Sequence, residues 1–507
     1  MDTTISPAKN RNSIGFQNLI LVLTLLLIFL VASRSPLDSD LWWHLQSGKV
    51  MTETGKPLLS DVFSYTRGGQ VWVNHSWLSE VFLYSLYHLT GWLGISAWMG
   101  LMAVIIACIL WFQVESDHFS KAGIVLLASV SCAPLWTPRP QFFSLVLLVF
   151  LAWLIDQWIK KGGRSLWITI PVFIFWSNLH GGYILGILYL LACAAGLVLD
   201  GFPTEKQKLH QAGLILIVAI GGYLSTAVNP NGIRMWLIPF QTVGVGILRQ
   251  FIQEWASPDF HSVESWAFAA YLILFLFCLA RRSGKVPFWQ LMPSLLFILM
   301  ALYARRNIST AVVVSTPIFL QAWTDMKVWS VISQKSPEYL KQLFVRYKAM
   351  PRRELTDSQK RTINLVFAGL LGLFSFFKLA AVTNPVLMEA FERKYYPENA
   401  VKYLAASPIT EKGRLFNAYN WGGYIVWKNP DEKVFVDGRT DLFGDAILGE
   451  WLTIIQAGNG WQDLMAKWGI TRIIIEPNRP LVFALPKDEW VEQYRDDQAV
   501  IFNRVSP

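Results

Sequence analysis

The chain has 507 residues, of which 53% are hydrophobic and only 16% charged, with a net charge of +9. A soluble domain carries roughly 25% charged residues, so an ordinary soluble protein is excluded. The basic residues lie mostly in short loops between apolar runs, which reads as a membrane-topology signal and speaks against a nucleic-acid partner. The four cysteines, Cys108, Cys132, Cys193 and Cys278, fall inside apolar runs without metal-ligand spacing and read as small core residues.

The first apolar run, 15–33, follows Lys9 and Arg11 and has no small-residue cleavage pattern after it. It is expected to be an uncleaved helix with its N-terminus in the cytoplasm. Further runs lie at about 93–113, 121–137, 141–159, 165–179, 181–199, 210–228, 264–281, 288–304, 309–325 and 362–382. Most have about 17–22 residues, the length that crosses a hydrocarbon core of roughly 30 Å.

The stretch from Trp77 to Thr90 is shorter and carries Glu80 and His88. If it lies along the membrane surface, Lys160, Lys161, Arg164, Lys206, Lys208, Arg281, Arg282 and Lys285 all fall inside. So does the basic loop 327–361, with Arg346, Lys348, Arg352, Arg353, Lys360 and Arg361. If it crosses, all of them move outside. The bias of positive charge toward the cytoplasm favours the surface option. The expected arrangement is about eleven spans of a bacterial inner membrane, N-terminus in and C-terminus out. The outer face then collects 34–92, 137–140, 178–182, 229–263, 305–307 and everything after about 383, and a site is expected there.

Residues 384–507 have the composition of a soluble protein and are expected to form a separate extracytoplasmic α/β domain. Pro397–Ala406 and Trp461–Trp468 read as helices, and Tyr424–Trp427, Val434–Val436, Arg472–Ile475 and Ala499–Phe502 as strands. Asn429–Pro430 and Asp437–Gly438 read as turns. The fold class is thus mostly α: a transmembrane bundle over 1–383 with a small α/β domain behind it.

The first outer loop opens Ser35-Pro36-Leu37-Asp38-Ser39-Asp40-Leu41-Trp42-Trp43-His44. If a helix starts at Leu41, Asp40 stands at its N-cap, where a carboxylate satisfies free backbone donors. His44 then lies one turn further on. The pair Asp38 and Asp40 reads either as a solvated cap and turn or as functional carboxylates, and ionisable groups at the boundary of a membrane bundle are often functional.

This loop and the architecture resemble the GT-C superfamily of membrane glycosyltransferases. That superfamily includes the dolichyl-phosphate-mannose protein mannosyltransferases and the aminoarabinose transferase of lipid A. Asp40 through Thr52-Glu53-Thr54-Gly55 is similar, without gaps, to the Asp-Glu-…-Glu-Ser-Gly pattern of that family's first outer loop, and the loop's two juxtamembrane helices match roughly 41–54 and 77–90. An uncharacterised bacterial branch is resembled further by Asp61–Thr66, Asn74–Glu80, Arg139-Pro140-Gln141 and Asn178-Leu179-His180-Gly181-Gly182. Leu41 departs from the family, standing where the second acid is usual, with Asp38 preceding instead.

The resemblance implies transfer of a sugar, with inversion, from a polyprenyl phosphate to a lipid, glycan or protein acceptor. Asp40 falls on the family's catalytic Asp. Such a reaction needs a base for the acceptor hydroxyl, for which Asp40 is the candidate with Asp38 as a second acid. It also needs cations for the departing phosphate, for which His44, His75, Arg139, His180, Arg305 and Arg306 are candidates, with Glu80 as a further candidate for binding substrate. Asp38 and Asp40 are the candidate ligands of a divalent ion such as Mg or Mn, with no third ligand evident.

Each candidate also has a plainer reading. Arg305 and Arg306 serve as interface anchors, Arg139 as a helix-end cap, His180 as a hairpin residue, Glu80 as a group facing water and Asp61 as a turn cap. In the tail, Asn420–Tyr424 and Asp437–Asp441 between them offer aromatics beside small residues that suit sugar stacking, but read mainly as strand-and-turn features, with Arg439 and Asp441 as a local ion pair. The alternatives to an enzyme are a lipid or solute transporter or flippase and a non-catalytic scaffold. The spans lack matched Gly/Pro-broken halves, which speaks against a transporter. A partly apolar chamber lined by Asp40, His44, His75, Arg139, His180 and Arg305 is expected.

Overall fold

A computed structural model describes residues 16–244, 246, 253–282, 284–326, 356–407 and 413–505. Lys9, Arg11 and most of the basic loop 327–361 lie outside these residues. Among the described residues, seven helices are long and apolar enough to cross a membrane: Trp77–Gln113, His118–Leu135, Gln141–Lys161, Tyr183–Gly201, Lys206–Ser225, Val263–Arg281 and Asp357–Val382. Gln17–Ala32, Ser165–Leu179 and Phe288–Tyr303 are shorter apolar helices, and Ile308–Asp325 is a further helix buried along most of its length. These helices stand where the hydropathy of the sequence set its spans.

The helix from Trp77 to Gln113 is broken at Gly91, where φ is 61° and ψ is −152°. A side chain resists that backbone conformation, whereas glycine adopts it freely. The break divides a segment that packs on the helix Leu41–Thr54 from the long apolar segment that follows. The break falls at the boundary between the stretch Trp77–Thr90 and the apolar run that starts near residue 93.

The loops separate by end. Gln211 Nε2 donates to the carbonyl of Ile159 at 3.2 Å. Asp200 accepts the backbone N–H groups of Phe288 and Trp289 at 2.9 and 3.1 Å. The loops with Lys160, Lys206 and Lys285 therefore meet at one end of the bundle. At the other end, Asn229 Nδ2 donates to the carbonyl of Ser177 and Asn231 Nδ2 to that of Asn74, at 2.9 and 3.1 Å. The backbone N–H of Arg305 donates to Ala256 there.

The tail folds onto this second end. Trp42, Trp43, Met51, Leu58, Phe63 and Trp72 of the first loop share one buried cluster with Tyr396, Val401, Leu415, Tyr424, Ile425 and Ile501 of the tail. Trp42 is met edge-on by Trp92, Tyr396 and Tyr424 at 5.5, 5.4 and 5.1 Å between ring centres. Burial of large aromatic surface on this scale dominates packing energetics.

A four-stranded sheet completes the tail, with β1 (Arg414–Asn417), β2 (Ile470–Ile475), β3 (Trp490–Arg495) and β4 (Val500–Arg504) in the order β1-β2-β4-β3. β1 and β2 run parallel, and the other two pairings are antiparallel. Two expected strands differ. Tyr424–Trp427 lies in the helix Gly422–Lys428, which packs on Leu41–Thr54; the apolar run is buried against a helix, a setting that β-favouring residues do not forbid. Val434–Val436 is outside the sheet. Val434 bridges Ser64 of the first loop, and the Asn417 side chain takes the part of a neighbouring strand. Its Oδ1 accepts the N–H of Phe435 at 2.8 Å and its Nδ2 donates to the carbonyl of Val436 at 2.8 Å.

Candidate active site

The helix Leu41–Thr54 starts after Asp40, but the Asp40 side chain does not cap it. The capping expectation is thereby corrected. Asp38 Oδ1 instead accepts the Asp40 backbone N–H at 2.9 Å, which leaves the Asp40 carboxylate free to face elsewhere. Both acids turn to Arg139, carried in the tight turn before the helix Gln141–Lys161. Its Nε and Nη2 donate to Asp38 Oδ1 and Oδ2 at 2.7 and 2.9 Å, the two-pronged geometry that suits a guanidinium to a carboxylate. Arg139 Nη1 stands 2.8 Å from Asp40 Oδ2 and 3.4 Å from Glu254 Oε1. Arg139 is thus an ion-pair hub as well as a turn residue.

Burial raises the Asp40 carboxyl from its ordinary range to about 7; Arg139 opposes this rise, while Asp38 and Glu254 add to it. A carboxyl with that proton affinity suits general-base work near neutral pH. The three acids hold Arg139 firmly charged against the cost of its burial.

A second set adjoins the first. Glu80 is fully buried, against the expectation that it faces water. It lies 3.0 Å from His44 Nδ1 and accepts from Asn74 Nδ2 at 2.7 Å. Burial keeps His44 well below its usual proton affinity, and Arg139, His75 and His180 repel its charged form. The His75 and His180 rings meet edge-on at 5.8 Å. His180 Nδ1 lies 2.7 Å from Ser144 Oγ and accepts the Gly182 N–H at 3.1 Å, so the hairpin role holds as well. Arg306 lies over the Trp255 ring at 4.3 Å, within electrostatic reach of Glu254, Arg139 and Asp40. Arg305 turns away to Glu264 at 3.7 Å. Eight of the nine candidates therefore converge: Asp38, Asp40, His44, His75, Glu80, Arg139, His180 and Arg306.

No family model matches the chain, and no curated protein matches it. Among solved structures it is similar to ArnT from Cupriavidus metallidurans bound to undecaprenyl phosphate, at 11% identity and a TM-score of 0.49, over 96% of this chain and 98% of that one.

Two residues at the site were not singled out by the sequence. Glu254 and Trp255 come from the loop between two spans, where one acid beside a tryptophan is a faint signal. The tail contributes Gly438 and Asp441, from the segment that read mainly as a strand-and-turn feature. A β-carbon added at Gly438 would stand 2.0 Å from Asp40 Oδ1, and Asp441 Oδ2 lies 3.8 Å from His75 Nδ1. The expected Arg439–Asp441 pair is replaced by Arg439 with Asp437 and Asp61, each at 2.7 Å. Asp61 also accepts the N–H groups of Phe63 and Ser64, both at 3.1 Å, so its turn role is retained.

The residues do not suit a metal at the acid pair. Both oxygens of Asp38 and one of Asp40 are taken by a guanidinium, and among the described residues no group of three or more His, Cys, Asp or Glu could hold an ion. A cavity of about 20 Å³ lies between helices beside Asp156 and Gln290, and one of about 260 Å³ lies on the tail beside Arg393 and Asp496. Neither opens onto Asp40, whose carboxylate is covered on one side by Gly438 and Trp43.

Proposed function

We propose that the protein is a membrane glycosyltransferase that moves a sugar from a polyprenyl phosphate to an acceptor hydroxyl at the outer face of the bacterial inner membrane. The observation that carries this reading is the Asp40 carboxylate, freed from capping and poised by burial against Arg139 2.8 Å away. The acceptor oxygen forms a bond to the anomeric carbon as the bond from that carbon to the phosphate oxygen breaks. The acceptor proton passes to Asp40, and the polyprenyl phosphate departs with the electron pair. Asp38 fixes Arg139 and thereby the orientation of Asp40. The charge that develops on the phosphate calls for preorganised cations, and Arg139 and Arg306 are the permanent ones in the cluster. His75 and His180 are suited to hydrogen-bond the phosphate or the sugar. Lipid, glycan and protein hydroxyls all fit this chemistry as acceptors.

The grouping of the Lys- and Arg-bearing loops at the opposite end of the bundle supports the outward orientation of the site. Mass spectrometry of envelope lipids and glycans in a deletion strain tests the reading. A product lost on deletion should return with the wild-type chain and not with Asp40→Asn at equal expression. Full restoration by Asp40→Asn would remove Asp40 as the base and favour a transporter or scaffold.

A further inference from the structure

The turn Asp437–Asp441 lies far from the acid pair in sequence and touches it in space. Arg439 has no exposed side-chain surface. Its Nη2 stands 2.7 Å from Asp437 Oδ2 and its Nη1 2.7 Å from Asp61 Oδ1. The guanidinium lies 5.0 and 4.8 Å from the ring centres of Phe63 and Trp72. Asp61, Phe63 and Trp72 all belong to the outer loop that begins with Asp38 and Asp40, so Arg439 pins the turn onto that loop. Behind the turn, the helix Gly422–Lys428 packs so closely that a β-carbon at Gly422 would stand 2.1 Å from the Val436 carbonyl oxygen. In front, a β-carbon at Gly438 would stand 2.0 Å from Asp40 Oδ1 and 2.9 Å from Trp43 Nε1. The turn is held from behind and rests on the carboxylate.

We propose that Asp437-Gly438-Arg439 is the positioning element of Asp40: Arg439 anchors the turn to the outer loop, and the bare Gly438 backbone forms the wall that keeps the carboxylate turned toward Arg139. The tail is then part of the site and not an appendage. The inference rests on reading Asp40 as the base, but its test observes the carboxylate directly. The other charged or titratable groups that act on Asp40 are Asp38 on its own loop, Arg139, Glu254 and Arg306 from the bundle, and Tyr396 and Tyr419 from the tail.

The full-length protein in lipid nanodiscs is titrated by infrared spectroscopy, following the protonated-carboxyl band that Asp40→Asn removes. In Gly438→Ala the added methyl group turns the carboxylate off Arg139, and the midpoint should rise by about one pH unit or more, the usual effect of losing an adjacent opposite charge. In Arg439→Lys the charge stays but the two-pronged anchor is lost. More water then reaches the partly exposed Asp40, and its midpoint should fall toward about 4. Midpoints equal to wild type in both variants overturn the proposal, and Arg439→Lys alone decides if Gly438→Ala does not yield monodisperse protein. Unshifted midpoints with an inactive Asp40→Asn would leave the transferase reading intact and remove the positioning role. Shifted midpoints with a fully active Asp40→Asn would do the reverse.

Discussion

Replacing Asp40 with Asn should abolish function and, above neutral pH, make the protein more stable. The carboxyl is lifted from its ordinary value near 4 to about 7, chiefly by burial. Between those two pH values the folded protein holds a proton that the unfolded chain has released. Stability therefore falls as pH rises through this window: it is fully present below about pH 4 and lost by about pH 7. At 1.36 kcal/mol per decade, the loss is at most about 4 kcal/mol, and smaller to the extent that water reaches the partly exposed carboxylate. Asn resembles the protonated acid in shape and carries no charge, so the variant escapes this fall, and Arg139 still has Asp38 as its partner. The measurement is thermal unfolding of both proteins, in one detergent, from pH 4 to pH 8. The two curves should lie close together at pH 4 and separate steadily up to pH 7, with Asp40→Asn the more stable. A difference that does not change with pH would refute the reasoning, because it would mean that the carboxylate is as well solvated in the folded protein as in the unfolded chain.

Removing Arg139 acts in the opposite sense. Arg139→Gln leaves the buried Asp38 and the partly exposed Asp40 without their counter-charge and should destabilise by up to about 3–5 kcal/mol. The Asp40 midpoint should move above 7 in an infrared titration. Arg439→Met should cost a similar amount, about 3–5 kcal/mol, because Asp437 and Asp61 lose their shared partner. Adding Asp61→Asn to it should cost much less than the sum of the two single changes, as a double-mutant cycle in thermal unfolding would record. Asn417→Ala should cost at least about 2 kcal/mol, since the buried N–H of Phe435 and carbonyl of Val436 lose their partner, and amide exchange at Phe435 should speed up.

The helices of the bundle were legible because each span must satisfy its own backbone and hide it from lipid, so length and hydropathy alone set the boundaries. Length and polar content were enough to set Trp77–Thr90 apart from the span after it, and Gly91 supplies the break. Asp40, Arg139 and His180 could be singled out as polar residues at the ends of spans that share one side. What remained open was where each side chain points. Asp40 holds the N-cap position but its side chain does not cap; Glu80 looked exposed and is sealed against His44 and Asn74.

The sequence by itself determined the membrane bundle, the side on which its polar loops gather and the acidic residues at the exit of the first helix. These follow from periodicity, length and charge, which are local properties of a chain. Only the tertiary structure decided that Glu254 reaches Arg139, that Arg439 bridges Asp61 and Asp437, and that Gly438 lies against Asp40. Each of these contacts joins segments remote in sequence. Their strength depends on burial and on distances of a few ångströms, which no one-dimensional pattern encodes.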